Sequence, residues 1–438
     1  MLIDGITLAD LQVFVDDDGR GGLLGLFEPT ESRAGRSELH RKLLAPESDP
    51  GALTLLQDAV RFFAGPWRMA LLGQDILHPV ERYLHSNIDL GPPLPRWLEW
   101  PNGLWLRLRE PELCRELRDG VRAASDLLIV SSRFAERLLA AAPPQRVAQL
   151  STRIIELFRD IGAVRPSMSF RQTLLDDRRL RQQRRNELRD LIACVAELDA
   201  LRTMGSTTRE RGWTFPEFVD GERFVFEGDG LHHPFLEDPV GNPVRVTGGQ
   251  PVIFLTGPNM AGKTTYMKAV GLAAVLAHQG MGVPASRLRL TPMDVVITGL
   301  NPSDNIRSGL SFFFAEVLRV KEAALQVASG KRCLLLFDEV FKGTNVRDAL
   351  NASEEVITGF AHALRTGCVF SSHLVELAES LAKVGRIQFV QLEGEIVGGR
   401  ATYSYRLLPG VSDKRFGRQI LSEAGVSELM RQIAAAAC

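Results

Sequence analysis

One octapeptide restricts the folds open to this chain more than any other segment: Gly257-Pro258-Asn259-Met260-Ala261-Gly262-Lys263-Thr264 fits GxxxxGK[ST]. The apolar run Val252 to Leu255 leads into it, and a helical pattern from Thr264 to about Gln279 follows. That order of strand, loop and helix is what a phosphate-binding loop needs. Backbone N–H groups of the loop and of the helix N-terminus wrap a phosphate, Lys263 reaches the β and γ oxygens, and Thr264 ligates Mg2+. A Gly-rich turn before a helix is the plain alternative, and it does not account for the whole pattern standing in this order.

A site of this kind also needs a carboxylate for the metal. Cys333-Leu334-Leu335-Leu336-Phe337-Asp338-Glu339 supplies one, at the end of a run that reads as a strand buried on both faces, as in the parallel core of an α/β sheet. Asp338 is placed to hold Mg2+, and Glu339 to orient and deprotonate an attacking water. Acid pairs also end ordinary strands, so the phosphate loop upstream is what favours the catalytic reading. Val369-Phe370-Ser371-Ser372-His373 reads as a further short strand with a polar tip, where an imidazole can donate to a γ-phosphate oxygen.

At 438 residues there is room for two or three domains, and 45% hydrophobic with 24% charged residues is ordinary for a soluble globular protein. A net charge of -1 neither favours nor excludes nucleic acid, which is bound by local patches. Cys114, Cys194, Cys333, Cys368 and Cys438 lack C-x-x-C or Cys/His spacing, so a reduced, cytoplasmic setting is expected, with no zinc site or disulfide framework. No apolar segment reaches the roughly 18 residues of a membrane span, and the N-terminus lacks a signal-peptide pattern, so no membrane partner is expected.

Residues from about 36 to 210 carry apolar positions at helical spacing, as in the stripe Leu188, Leu191, Ile192, Val195, Leu198 and Leu201. The basic run Arg178, Arg179, Arg181, Arg184, Arg185 and Arg189 could touch phosphate backbones. Interspersed Asp176, Asp177, Glu187 and Asp190 fit a solvated helix face with ion pairs equally well. Texture changes near Gly212, where strand-like segments separated by Gly, Asp and Pro turns begin. Two domains are therefore expected, a helical one over 1–212 and a sheet-bearing one over 213–438.

These segments, taken together, resemble a known family. TGPNMAGKTTYMKAVGLAAVLAHQGMGVPA, SDNIRSGLSFFFAEV, LLLFDEVFKGTNVRDAL, CVFSSHLVEL and LPGVSDKRFG are similar to successive motifs of the ATPase domain of the DNA mismatch-repair MutS family. TLADLQVF, GGLLGLFEPTESRAGRSELHRKLLAP and LQDAVRFF resemble the opening of that family's helical core, and LRDLIACVAELDALRTM its returning lever helix. The resemblance implies an α plus α/β architecture: a helical core or lever domain, then an ABC-like P-loop ATPase domain with a mixed, largely parallel sheet. It also implies a homodimer that hydrolyses ATP with Mg2+ at composite sites. On that likeness Gly257 to Thr265 cradle the phosphates, with Asn259 near the γ-phosphate. Thr264 and Asp338 bind Mg2+, Glu339 is the base and His373 a switch. Gly309 and Ser311 match the loop presented in trans to the partner's γ-phosphate. Tyr405 falls where a ring lies against adenine, and His233 with Pro234 matches a His-Pro turn near the base. Residues from Ile420 to Ile433, with Leu421, Leu429 and Met430, correspond to dimerisation helices.

Departures from the pattern are informative. The resemblance starts at the core domain, so the mismatch-reading domain with its Phe-x-Glu wedge and the connector are expected to be lacking, and the DNA-gripping clamp to be reduced or absent. Phe215-Pro216-Glu217 fits Phe-x-Glu by letters but matches the start of the ATPase domain. Phe341-Lys342 stands where ordinary members have Gly-Arg, and Ser311-Phe312 where they have Ser-Thr. The expected function is ATP-dependent binding of duplex or branched DNA, related to DNA repair; a MutS-like ATPase acting on an RNA, ribosomal or protein partner is the alternative.

Overall fold

The structure, a computed structural model, describes residues 1–15, 21–66, 76–86, 109–164, 170–300, 312–397, 400–412 and 424–436. It divides into two compact units, one of residues 1–26, 44–53 and 211–438, the other of residues 27–43 and 54–210. Residues 1–26 and 44–53 thus belong with the sheet, although the sequence reading puts them in the helical domain. The physical reason is a long-range pairing: the strand β1 (Leu2–Ile3) runs parallel to Val295–Val296. In the helix after it, Gly5–Asp10, Thr7 N donates to the capping Asp4 Oδ1 at 2.8 Å. At the other end, buried Asp10 accepts from Thr298 Oγ1 at 2.7 Å and from Leu300 N at 3.0 Å.

The remaining strands are β2 (Glu217–Phe218), β3 (Val225–Leu231), β4 (Asn242–Thr247), β5 (Val252–Thr256), β6 (Arg287–Leu290), β7 (Val295–Gly299), β8 (Cys333–Asp338), β9 (Thr366–Ser371), β10 (Ile387–Val397) and β11 (Arg400–Pro409). Among the described residues they form a seven-stranded sheet in the order β1-β7-β8-β9-β5-β10-β11 and a four-stranded sheet in the order β2-β6-β3-β4. Every neighbouring pair of the larger sheet is parallel except β10 with β11. This is the mixed, largely parallel sheet that the sequence implies.

Strands β5 and β9 are buried throughout, and β8 is buried up to its last residue. Both faces are covered, which is why their sequences run apolar without alternation. On one face Phe254, Phe337 and Phe370 pack with Ala323, Ile357 and Phe360 from the helices Phe312–Ala328 and Val346–Ala361. Each fully buried phenylalanine contributes about 2–3 kcal/mol of transfer free energy. The opposite face receives the helix Lys263–Ala277, where a Cβ on Gly271 would fall 3.0 Å from Leu336 and 2.5 Å from Leu11.

In the helical unit, the stripe from Leu188 to Leu201 is buried along the helix Arg185–Glu210. Asp199 on that helix accepts from Ser32 N at 2.9 Å, Ser32 Oγ at 2.7 Å and Glu31 N at 3.1 Å, and so holds Ser32, whose Oγ accepts from Gly35 N at 2.9 Å and caps the helix Arg33–Leu44. Much of the basic run is already engaged. Arg181 makes two bonds to Asp177 at 2.6 and 2.7 Å, Arg184 meets Glu187 at 2.8 Å, and Arg185 donates to Leu84 O at 2.8 Å. No helix among the described residues is long and apolar enough to cross a membrane.

Candidate nucleotide site

The register of the parallel strands assembles the site. Ser371 pairs with Asp338 on one side and with Leu255 on the other, so the segments leaving β5, β8 and β9 emerge together at one carboxyl edge, where open α/β sheets bind ligands. The loop after β5 turns through Gly257 (φ 144°), Met260 (φ 68°) and Gly262 (φ 97°). A Cβ at Gly257 would also meet Leu392 O at 2.9 Å, so the turn needs glycine there on two counts. Gly262 caps the helix Lys263–Ala277, whose N-terminal N–H groups and dipole favour an anion. Lys263 Nζ, buried, donates to Gly257 O at 2.9 Å and Pro258 O at 3.3 Å. Burial pulls its pKa down, against the pull of Glu339 and Asp338. Asn259 and Met260 are exposed at the loop tip.

Thr264 Oγ1 donates to Asp338 Oδ2. The other carboxylate oxygen, Oδ1, is buried without a hydrogen-bond partner. A hydroxyl and a carboxylate with a spare oxygen, side by side at the phosphate loop, are the oxygen donors that Mg2+ takes, so the residues present fit that ion.

Glu339 follows at φ 50° and its N–H donates to Ser371 O at 2.9 Å. Its carboxylate is reached by His373 Nε2 and Lys342 Nζ, and Lys263 Nζ lies 3.6 Å away. Burial opposes its charge, but the bonds from His373 and Lys342 outweigh burial and hold its pKa at about 2. Phe341 (φ 72°) occupies a left-handed position and is buried. Its N–H donates to Glu316 Oε2 at 2.9 Å, which pins the backbone just beyond Glu339. Burial pushes the Glu316 carboxyl up.

Beside the loop opens a cleft of about 340 Å3 lined by His233, Asn242, Gly262, Thr265, Tyr266 and Tyr405, with Leu231, Leu236 and Val240 as apolar wall. It therefore unites His233 and Tyr405, which are far apart in the chain, with Thr265 at the helix start. His233 is buried, stands edge-on to Phe235 at 4.9 Å, and is held by burial at a pKa of about 4, so it is neutral at physiological pH. A cleft with apolar walls, an aromatic ring and a few polar groups suits a planar heterocycle.

Gly309, Ser311 and Leu421 lie outside the described residues. In the helix Val426–Ala436, Leu429, Met430 and Ile433 are exposed. Sequence reading missed Lys342 and Asn242 as site residues. For Lys342 a signal existed, since a lysine three positions after the candidate base can fold back on it; for Asn242 none did, because its partners lie at Tyr405 and Leu407.

The part of the chain that holds the phosphate loop matches a known family. The family model for MutS domain V covers residues 253–437. The DNA mismatch repair protein MutS of Bacillus pumilus is 31% identical over 229 residues, covering 51% of this chain and 26% of that protein. That of Bacillus subtilis is 30% identical over 236 residues, covering 52% and 27%, and that of Shouchella clausii 27% identical over 245 residues, covering 55% and 28%. The matched part thus spans only about a quarter of the length of these relatives.

Proposed function

Because the chain belongs to the MutS family, through the domain V that residues 253–437 match, we propose that it binds and hydrolyses ATP with Mg2+ and uses the cycle to control its grip on DNA. The observation that carries this reading is the Thr264–Asp338 pair with its unpartnered buried oxygen, set between the phosphate loop and Glu339. Lys263 and the helix N-terminus receive the β- and γ-phosphates, and the cleft of His233 and Tyr405 receives the base. Thr264 and Asp338 hold Mg2+, which supplies charge neutralisation at the phosphates. Glu339 orients the attacking water, and His373, in contact with Glu339, couples its position to the γ-phosphate.

By the same reading the protein is a homodimer. The exposed apolar side chains of Leu429, Met430 and Ile433 contribute to self-association. DNA is the polymer we propose, because the relatives it resembles are DNA mismatch repair proteins. The test is steady-state ATP hydrolysis at low and physiological salt, with homoduplex, mismatched, branched and single-stranded DNA added in turn. Turnover stimulated by one DNA form, the effect falling steeply with salt, is the expected result. Turnover equal to wild type in Glu339→Gln would overturn the site, and DNA-indifferent turnover would overturn the DNA half of the reading.

A further inference from the structure

A bulge in β11 explains how Tyr405 comes to line the cleft. Leu392 pairs with Leu407, but Gly394 pairs with Tyr403, so two more residues than β10 requires are inserted around Tyr405. The extra chain lifts Tyr405 out of the ladder and into left-handed backbone at φ 57°, a conformation that non-glycine residues adopt only when neighbours impose it. Main-chain groups at such a bulge lose their strand partners and need others.

Asn242, the first residue of β4 and buried, meets that need from a different sheet. Its Nδ2 donates to Tyr405 O at 2.9 Å, and its Oδ1 accepts from Leu407 N at 2.7 Å. One carboxamide thus clamps the bulge at Tyr405 itself and at the point where the chain rejoins the ladder. The Tyr405 ring then sits beside the phosphate loop, where a Cβ on Gly262 would fall 3.4 Å from its Cδ1. Asn242 also lines the cleft.

We infer that Asn242 is a positioning residue that sets the aromatic wall of the base cleft, and so fixes affinity for the nucleobase half of the nucleotide without touching the phosphate half. The inference rests on the proposed nucleotide site. Loss of the clamp frees Tyr405 to leave its left-handed conformation, and the ring no longer stands where a base would stack.

The experiment compares two ligands that share the phosphate site, ATP and inorganic tripolyphosphate, by calorimetric titration of the full chain with Mg2+. Asn242→Ala is expected to weaken ATP about five- to tenfold, the worth of one or two hydrogen bonds, and to leave tripolyphosphate unchanged. In Tyr405→Ala the same substitution is expected to add nothing, since its effect is exerted through that ring. An equal loss of both ligands would overturn the inference, because Asn242 would then support the unit as a whole. Unchanged ATP affinity in Asn242→Ala, with ATP weakened in Tyr405→Ala, would overturn it while leaving the site intact. Unchanged ATP affinity in Tyr405→Ala would overturn both the inference and the placing of the base.

Discussion

Glu339 is surrounded by nitrogen donors: Lys342 and His373 touch its carboxylate, and Lys263 stands 3.6 Å off. A carboxyl held at about pKa 2 is always charged near neutrality, which suits orienting a water but makes a weak proton acceptor. Glu339→Gln is therefore expected to keep ATP affinity and lose about 10²- to 10⁴-fold in turnover, as single-turnover hydrolysis against equilibrium binding would show. Lys342→Met removes one of the two hydrogen-bond donors that depress the carboxyl, so its pKa rises. A less depressed carboxylate takes up its proton sooner as pH falls, and the acid limb of kcat moves to higher pH. An unmoved limb would show that Lys342 does not govern the charge of Glu339. The meeting of Lys263, Thr264 and Asp338 at one edge of the sheet was legible because each lies in a local pattern of fixed spacing. Lys342 belongs to none of those patterns, and only its spacing of three residues from Glu339 pointed to it.

At the scale of elements, glycine marks where helices approach closely and where they do not. On the helix Pro111–Ala140, a Cβ at Gly120 would fall 2.1 Å from the Tyr83 ring, whose hydroxyl donates to Asp177 at 2.7 Å beneath Arg181. Gly120→Ala gains helix propensity, yet it must push the ring off this network, and a net loss of about 1–3 kcal/mol is expected from the urea midpoint. Gly359, on the helix Val346–Ala361, has nothing within 4 Å of where an added Cβ would stand, so Gly359→Ala is expected to stabilise by about 0.5–1 kcal/mol. Opposite signs for one chemical change would tie the difference to packing. Elements with both faces buried, β5, β8 and β9, were legible as apolar runs. The pairing of Leu2–Ile3 with Val295–Val296 was not, since a two-residue strand has no period and its partner is remote. The bulge at Tyr405 was hidden for a related reason: the residue that clamps it, Asn242, sits on another sheet.

The molecule as a whole carries two buried neutral histidines in its sheet-bearing unit, and they set how that unit responds to acid. His278 is fully buried; with Ala274 O 2.8 Å from its Nδ1 and Met293 N donating to its Nε2 at 2.8 Å, the ring is neutral with the proton on Nδ1. A second proton would set one N–H against another. Phe235 N likewise donates to His233 Nδ1 at 3.3 Å. Burial, the largest cause for both, holds their pKa values at about 4 against an unfolded value of 6.5. Between these limits the unfolded chain binds more protons than the folded one, so stability is full above pH 6.5 and falls as pH drops toward 4. By pH 5 the loss is about 2 kcal/mol per histidine, a substantial part of what holds a domain together. Glu339 acts in a lower window, because a carboxyl depressed to about 2 loses its contribution only as pH falls from its unfolded value of 4.5. Calorimetry at pH 7 and pH 5 should therefore show a lowered transition for the sheet-bearing unit, recognisable as the one that ATP with Mg2+ raises. His278→Gln keeps a neutral donor and acceptor in the same place and is expected to remove about half of the shift. A shift as large as that of wild type in this variant would mean that the acid sensitivity arises elsewhere in the chain.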